Sequence, residues 1–304
     1  MMYADNYGGS QVFRATECCE EEINNLKEKI VNLEEDLQEA KLDGSVEVTG
    51  PTVNQPNSNL KMTGEVKVMT NVTGKSVYMD KTKVTAKVVV TASEDVEVTN
   101  VTVDGSFKEN GAVFSINNAE KVIYKDLEFN AETAYNGIEV GLSSTNLPKE
   151  VVFENCTFKG VMRNNAISVF GMQEGGTITI KDCIFEDVSN VVRYSNKSNV
   201  KDVVMNIINC KVGKWSDTPE YAGLVICQDY TSKTDKEAVD NNLFSEDKLT
   251  INVTNTFVNN KSISGMVKKQ GVQNTVVYVY RDKGKPASVN INDDENAYPR
   301  IFLK

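Results

Sequence analysis

The sequence feature that most constrains the fold is an octet that recurs through the body of the chain. It has the form apolar-x-apolar-x-Asn/Asp-apolar-x-apolar, and alternation with a period of two residues is typical of β-strands. The central residues are separated by 26, 29, 27, 27 and 46 positions, and they are Asn100, Asp126, Asn155, Asp182, Asn209 and Asn255. Repetition at a nearly fixed period indicates that equivalent positions stack on one another.

Each octet is followed by a further short apolar segment, so one repeat of about 27 residues holds two or three strands. The repeats carry no helical periodicity, and Gly and Asn punctuate the apolar runs. A repeat of this length without a helix predicts an all-β solenoid, a parallel β-helix in which successive turns stack about 4.8 Å apart.

The position after each central residue predicts a column in the interior of the solenoid. Its members are Val101, Leu127, Cys156, Cys183, Cys210 and Thr256. Free cysteine behaves as a small apolar residue, so a column of core side chains is the favoured interpretation over a soft-metal site or a redox relay. The central Asn and Asp residues predict a second column, at a turn, because these residues tolerate left-handed backbone conformations.

A heptad seam precedes the body and predicts a short parallel coiled coil over residues 21–43. Three pairs of charges in the flanking e and g positions have opposite signs, and they are Glu22/Lys27, Lys29/Glu34 and Asp36/Lys41. Such pairing favours self-association of parallel, in-register helices over a single helix that packs on its own domain. The predicted oligomerisation residues are Ile23, Leu26, Ile30, Leu33, Leu37 and Ala40.

The other segments complete the predicted domain organisation. Residues 1–20 form an N-terminal tail or anchor that orders on a partner, with its candidate contacts at Tyr3, Tyr7, Phe13 and Arg14. Residues 44–95 are less regular leading β turns, residues 96–270 are the regular β-helix, and residues 271–304 are a C-terminal β cap. Residues 228–248 are a polar inserted loop.

Composition excludes several classes of function. The chain has 304 residues, a formal net charge of −10 and no histidine, which rules out Ser–His–Asp and Cys–His catalysis. Its pI of about 4.8 argues against a nucleic-acid partner. No apolar stretch approaches the length of a membrane span, no secretory signal is readable, and the six cysteines show no disulfide-scaffold spacing. We expect no cofactor and no metal.

The heptads at residues 23–40 and the octets at residues 96–270 together resemble the trimeric fibres and spikes of tailed bacteriophage virions. That resemblance implies a right-handed, single-stranded β-helix, a homotrimer, and an N-terminal anchor on a capsid or tail protein. It also implies assembly in the host cytoplasm and a final location on the virion surface. Ile at the a positions and Leu at d instead favour a dimer, so the number of copies stays open.

The function that the resemblance implies is a structural head fibre, decoration protein or spike that meets the host surface. The rival hypotheses are a phage polysaccharide depolymerase and a bacterial surface adhesin. Glycoside hydrolysis needs two carboxylates about 5–9 Å apart, and the position one repeat after Glu139 is Ser168. We therefore predict no catalytic residues. A candidate glycan-binding patch for a host polysaccharide comprises Trp215, Tyr221 and Tyr230, and packing of these rings beneath the loop at residues 228–248 is the favoured alternative.

Overall fold

The computed structural model describes most of the chain as one helix followed by β-strands. It describes residues 9–107, 111–133, 135–213, 223–227, 244–258, 261–262, 275–279, 288–292 and 301–303. The chain divides into two compact units, Met1–Ser45 and Val46–Lys304. The second unit is mostly β, as the sequence predicts, and its described strands pair in parallel with the exception of one short hairpin.

In its described residues, the first unit contains one helix, α1 (Gly9–Leu42). The helix includes the whole heptad seam and begins within the segment that the sequence assigns to the anchor. It ends at the predicted position because Gly44, with φ of +70°, adopts a left-handed conformation that stops a helix. The amide of Asp43 still donates to the carbonyl of Glu39, which closes the last helical turn.

The second unit contains 25 strands within the described residues. They are β1 (Val46–Glu47), β2 (Thr52–Gln55), β3 (Leu60–Val66), β4 (Thr70–Gly74), β5 (Val77–Val84), β6 (Val88–Ala92), β7 (Asp95–Thr99), β8 (Thr102–Phe107), β9 (Phe114–Asn117), β10 (Lys121–Lys125), β11 (Glu128–Thr133), β12 (Ile138–Val140), β13 (Glu150–Glu154), β14 (Thr157–Val169), β15 (Thr177–Lys181), β16 (Ile184–Tyr194), β17 (Val203–Ile208), β18 (Lys211–Val212), β19 (Gly223–Cys227), β20 (Leu249–Thr254), β21 (Phe257–Val258), β22 (Lys261–Ser262), β23 (Thr275–Val279), β24 (Ser288–Asn292) and β25 (Ile301–Leu303).

These strands form three stacks, and the chain passes through the stacks in turn. The first stack holds β1, β3, β5, β7, β10, β13, β15, β17, β20 and β24. The second holds the end of β5, then β8, β11, β14, β16, β18 and β21. The third holds β2, β4, β6, β9, β12, the ends of β14 and β16, β19, β23 and β25.

The strand register confirms the repeat that the octets define. In the first stack one row of paired residues runs through the first position of every octet, and it consists of Val96, Val122, Val151, Ile178, Met205 and Ile251. The leading residues also join the stacks, with shorter steps: Leu60 pairs with Val77, and Val77 pairs with Val96. At the other end β23, β24 and β25 continue the parallel pairing.

The core is a set of columns of stacked apolar side chains. Phe158 lies between Phe129 and Phe185, with ring centroids 5.6 and 5.0 Å away, and Tyr124 stacks on Phe153 at 4.9 Å. All five rings are fully buried. Like residues therefore lie on like residues, because parallel strands in register place the same side of each repeat on the same side of the next.

The predicted cysteine column lies in this core. Cys156, Cys183 and Cys210 are free and buried, and each thiol donates to a carbonyl of the turn before it. The pKa of Cys183 is raised by its hydrogen bond with Cys156, and that of Cys210 by its hydrogen bond with Cys183; burial raises both further. The thiols of Cys183 and Cys210 therefore stay protonated, and all three cysteines pack as small core residues.

The predicted turn column of Asn and Asp is confirmed in its backbone conformation. All six central residues have φ between 48° and 54°, the left-handed region. Their side chains also bond along the column: Asn209 Nδ2 donates to Asp182 Oδ1 at 3.0 Å, and Asn255 Nδ2 donates to Asn209 Oδ1 at 2.9 Å. Asn and Asp occupy this position because they accept positive φ at low cost and satisfy each other between turns.

Substitutions at Asn209 separate two contributions of this column to stability: the left-handed backbone conformation and the hydrogen bonds between side chains. We expect Asn209→Ala to destabilise the protein by about 1–2 kcal/mol, because alanine is strained at positive φ and the two bonds are lost. Asn209→Gly loses the same bonds without the strain, so it should be more stable than the alanine variant by roughly 0.5–1 kcal/mol. Urea unfolding measures both. Equal losses would mean that the side-chain bonds, and not the backbone conformation, determine the residue type.

A buried thiol makes stability depend on pH. Burial raises the pKa of Cys227 well above its usual value, whereas the pKa of a thiol in the unfolded chain is about 8.5. Above that pH the unfolded chain loses a proton that the native chain keeps, so the contribution of the thiol to stability is complete below about pH 8.5 and falls by about 1.4 kcal/mol per pH unit above it.

We therefore expect Cys227→Ala to lose less stability than the wild type between about pH 8 and pH 10. Urea unfolding at several pH values gives the difference between the two proteins at each pH. The cavity left by the substitution lowers the free energy of unfolding by the same amount at every pH. Only the change of that free energy with pH therefore depends on ionisation of the thiol. Parallel slopes for the two proteins would contradict a buried, protonated Cys227.

Candidate functional site

The candidate site is a pocket of about 390 Å³ on the outside of the third stack. Ile138 and Val140 of β12 point into the core, so Glu139 between them points to the opposite face. Register then places Glu139 beside Ser115 of the turn before and Ser168 of the turn after, and Ser168 beside Arg193. One row across four turns thus carries a carboxylate, two hydroxyls and a guanidinium.

The charged members of this row are buried although they face away from the core. Glu139 is 7% exposed and Arg193 is 5% exposed. The guanidinium carbon of Arg193 lies 5.5 Å from the ring centroid of Phe170, which is a cation–π distance. Two residues on strands two steps apart are separated by about 10 Å at the backbone, so their long side chains can reach one ligand.

A second row of buried polar residues orients Glu139. Asn136 Nδ2 donates to Glu139 Oε1 at 2.7 Å, and Asn165 Nδ2 donates to Asn136 Oδ1 at 2.8 Å and to Ser168 Oγ at 3.3 Å. Asn190 occupies the same position on the next turn, paired with Asn165 in the strand register. All three asparagines are buried, so these bonds are protected from water and fix the side chains.

The rim of the pocket is held by a turn that follows β12. Asn118 Oδ1 accepts from the amides of Thr145 and Asn146 at 2.8 and 3.1 Å, and the amide of Ser143 donates to Asn117 Oδ1 at 3.2 Å. These bonds join adjacent repeats and position Ser143 at the pocket wall. Lys87, Tyr135 and Leu142 also line the opening.

Among the described residues, the pocket lining contains two cationic side chains and one carboxylate. Lys87 and Arg193 supply the positive charges, and Glu139 supplies the negative charge. The sequence predicts Ser168 opposite Glu139, and the register confirms that pairing. Acid–base cleavage of a glycoside by the usual mechanism needs two carboxylates, whereas the described residues of this lining supply one.

The structure describes some of the predicted site residues and not others. All six predicted oligomerisation residues lie on α1 with exposed side chains. Phe13 and Arg14 lie on the same helix, whereas Tyr3 and Tyr7 lie outside the described residues. The candidate glycan-binding residues Trp215, Tyr221 and Tyr230 also lie outside the described residues.

The end of the predicted inserted loop lies against the β body. Residues 228–243 fall outside the described part of the chain. Phe244 is buried, and its ring makes an edge-to-face contact with Tyr194 at 6.2 Å. Lys201 and Asp247 form an ion pair at 3.2 Å. The loop therefore rejoins the stacks through fixed contacts.

Apart from the pairing of Glu139 with Ser168, the two polar rows of the pocket were not predicted from the sequence. Their signal is a polar pair with the spacing Asn-x-x-polar in the third strand of three successive repeats: Asn136 with Glu139, Asn165 with Ser168 and Asn190 with Arg193. A search for apolar octets does not detect it. Aligning the third strands by the octet period would have placed these residues in columns.

The described residues contain neither a metal cluster nor a membrane span. No group of three or more Cys, Asp or Glu side chains in that part of the chain is arranged to hold a metal ion. No helix there is both long enough and apolar enough to cross a bilayer.

In comparisons with known proteins, no family model, curated protein or solved structure matches the chain.

The buried asparagine row can be tested through stability. Asn165→Ala would leave Asn136 Oδ1 buried without that donor, and we expect a loss of about 1–3 kcal/mol. Asn252→Ala is the matched control, because Asn252 Nδ2 likewise donates to the asparagine of the turn before it, but in a partly exposed row where water can replace the bond. Its loss should be below about 1 kcal/mol. Urea unfolding measures the free energy of unfolding of both variants. Equal losses of stability would contradict a hydrogen-bond network that is protected from water.

Proposed function

We propose that the chain is a non-enzymatic, self-associating fibre protein that attaches a particle to a surface. In this proposal α1 forms a parallel coiled coil that joins three copies, and the second unit is a right-handed parallel β-helix that presents the pocket. The virion fibres and spikes of tailed phages combine these parts, and the sequence resembles that class.

The observation that carries the proposal is the exposure of the heptad seam. Five of its large apolar residues are 50–66% exposed in a single chain: Ile23, Leu26, Ile30, Leu33 and Leu37. A regular apolar stripe whose side chains are exposed to solvent in a single chain is typical of an interface between helices. The oppositely charged flanking pairs favour identical parallel partners.

The proposed β-helix is supported by the order in which the chain visits its stacks. After the first stack it enters the second and then the third, and it returns to the first one repeat later, as in β10, β11, β12 and β13. A parallel strand connection of this kind is right-handed in about 98% of cases, which favours a right-handed coil.

The remaining parts of the proposal come from the resemblance. Residues 1–20 anchor the fibre to a capsid or tail protein, and the β-helical bodies point toward the host. The fibre assembles in the host cytoplasm and functions at the virion surface. A depolymerase stays the second hypothesis, and the presence of one carboxylate among the described residues of the pocket weighs against it.

The coiled-coil proposal predicts opposite results for two neighbouring lysine substitutions. We expect Ile30→Lys, at an a position, to convert the full chain to monomers, because it would bury several like charges in one seam. Val31→Lys is the control: Val31 is 50% exposed on the same helix but lies outside the seam, so the oligomer should persist.

Sedimentation equilibrium of the wild type and both variants measures the difference. Circular dichroism shows whether each variant keeps its β structure. An unchanged mass for Ile30→Lys, or an equal loss of mass for both variants, would contradict self-association through the predicted seam.

A further inference from the structure

We infer that the pocket on the third stack binds a saccharide unit that carries a carboxylate. The inference deepens the attachment role and rests on the proposed function for that role, whereas the chemistry of the ligand follows from the residues of the pocket. Nothing in this chemistry depends on the number of copies in the fibre.

The charges of the pocket favour an anion. Among the described residues of the lining, Lys87 and Arg193 outnumber Glu139 in a protein whose net charge is −10, so this part of the surface is a local exception to the charge of the chain. A guanidinium has five donors in a fixed plane and binds a carboxylate through two of them. Arg193 is held on the face of Phe170, which leaves its orientation defined before a ligand arrives.

Glu139 excludes a simple anion and favours a ligand that also carries hydroxyls. Its carboxylate accepts one bond from Asn136, and a carboxylate has further acceptor sites. A phosphate or a small carboxylate would place like charge near Glu139, which costs free energy in a buried site. A sugar with a carboxylate can place hydroxyl donors at Glu139 and its own charge at Lys87 and Arg193.

The other groups of the pocket match a ligand that both donates and accepts hydrogen bonds. Ser115 and Ser143 supply hydroxyls, and Asn117 supplies an amide. Tyr135 is 47% exposed at the rim, so its ring offers an apolar surface beside these polar groups. The volume of about 390 Å³ lies within the range of small-molecule sites.

A glycine gives Lys87 its place in the pocket. A Cβ atom added at Gly111 would lie 2.9 Å from Lys87 Nζ, so any other residue there would displace the ammonium. Gly111 also has φ of +85°, a conformation that other residues rarely adopt. The backbone at this turn is thus compatible with a cation at the edge of the pocket.

The first test measures binding to the full-length wild-type chain by saturation-transfer NMR and calorimetry. The acidic probes are D-glucuronate, D-galacturonate and N-acetylneuraminate, and the controls are D-glucose, D-galactose and acetate. We expect at least one acidic sugar to bind with a Kd on the order of 1 mM, and more tightly than every control. Failure of all three acidic sugars would overturn the inference. So would acetate or a neutral sugar that binds as tightly as the best acidic sugar.

A lysine substitution tests the location of the site. Lys87→Gln should weaken binding of the best acidic sugar by on the order of tenfold, because it removes a charged donor from the pocket. Lys83→Gln is the matched control, because it makes the same charge change at an exposed position of β5 outside the pocket lining. Equal effects of the two variants would place the bound sugar elsewhere and overturn the assignment.

The same experiments separate this inference from the fibre proposal. If the wild-type chain is monomeric and still binds an acidic sugar through Lys87, the fibre proposal fails and the site stands. If the chain forms a coiled-coil oligomer but no acidic sugar binds, the site fails and the fibre proposal stands. Binding by the Ile30→Lys variant should equal that of the wild type.

Discussion

The structure depends on in-register hydrogen bonding between parallel strands of successive repeats. Each turn must present its strands at the same height as the turn before, so residues at equivalent positions become neighbours. This explains why the chain repeats types of residue and not a fixed sequence. Phe158 packs between two other phenylalanines, Cys183 lies between two other cysteines, and Asn209 bonds to Asp182 and Asn255.

The same constraint builds the pocket. Because Ile138 and Val140 occupy the core, Glu139 must face outward, and register brings Ser115 and Ser168 beside it. Arg193 then follows one turn later. A buried polar group is costly unless it is hydrogen-bonded, and the asparagine row supplies bonds to Glu139 and Ser168. The stack therefore provides both the groups that could bind a ligand and the network that holds them.

Much of this fold could be predicted from the octets, because apolar alternation and a turn residue at a constant period determine register directly. The left-handed turn at Asn155 and the burial of Cys183 were predictable for that reason. Of the polar row at Glu139, only the pairing with Ser168 was predicted. The rest of the row was not, because its members differ in charge and size and share only their position. The leading turns were predicted as less regular, whereas their strands pair like the others; their steps of 17 and 19 residues from Leu60 to Val77 and on to Val96 did not match the octet period.

The helix and the β body contribute separately to the proposed function. The helix offers an exposed seam that identical chains can share, and the body offers a rigid stack whose outer face carries a charged pocket. Native mass spectrometry of the full-length wild-type chain tests the central claim of self-association most directly. We predict a species of three times 33.6 kDa at micromolar concentration. A species of one chain at that concentration would contradict the proposed fibre.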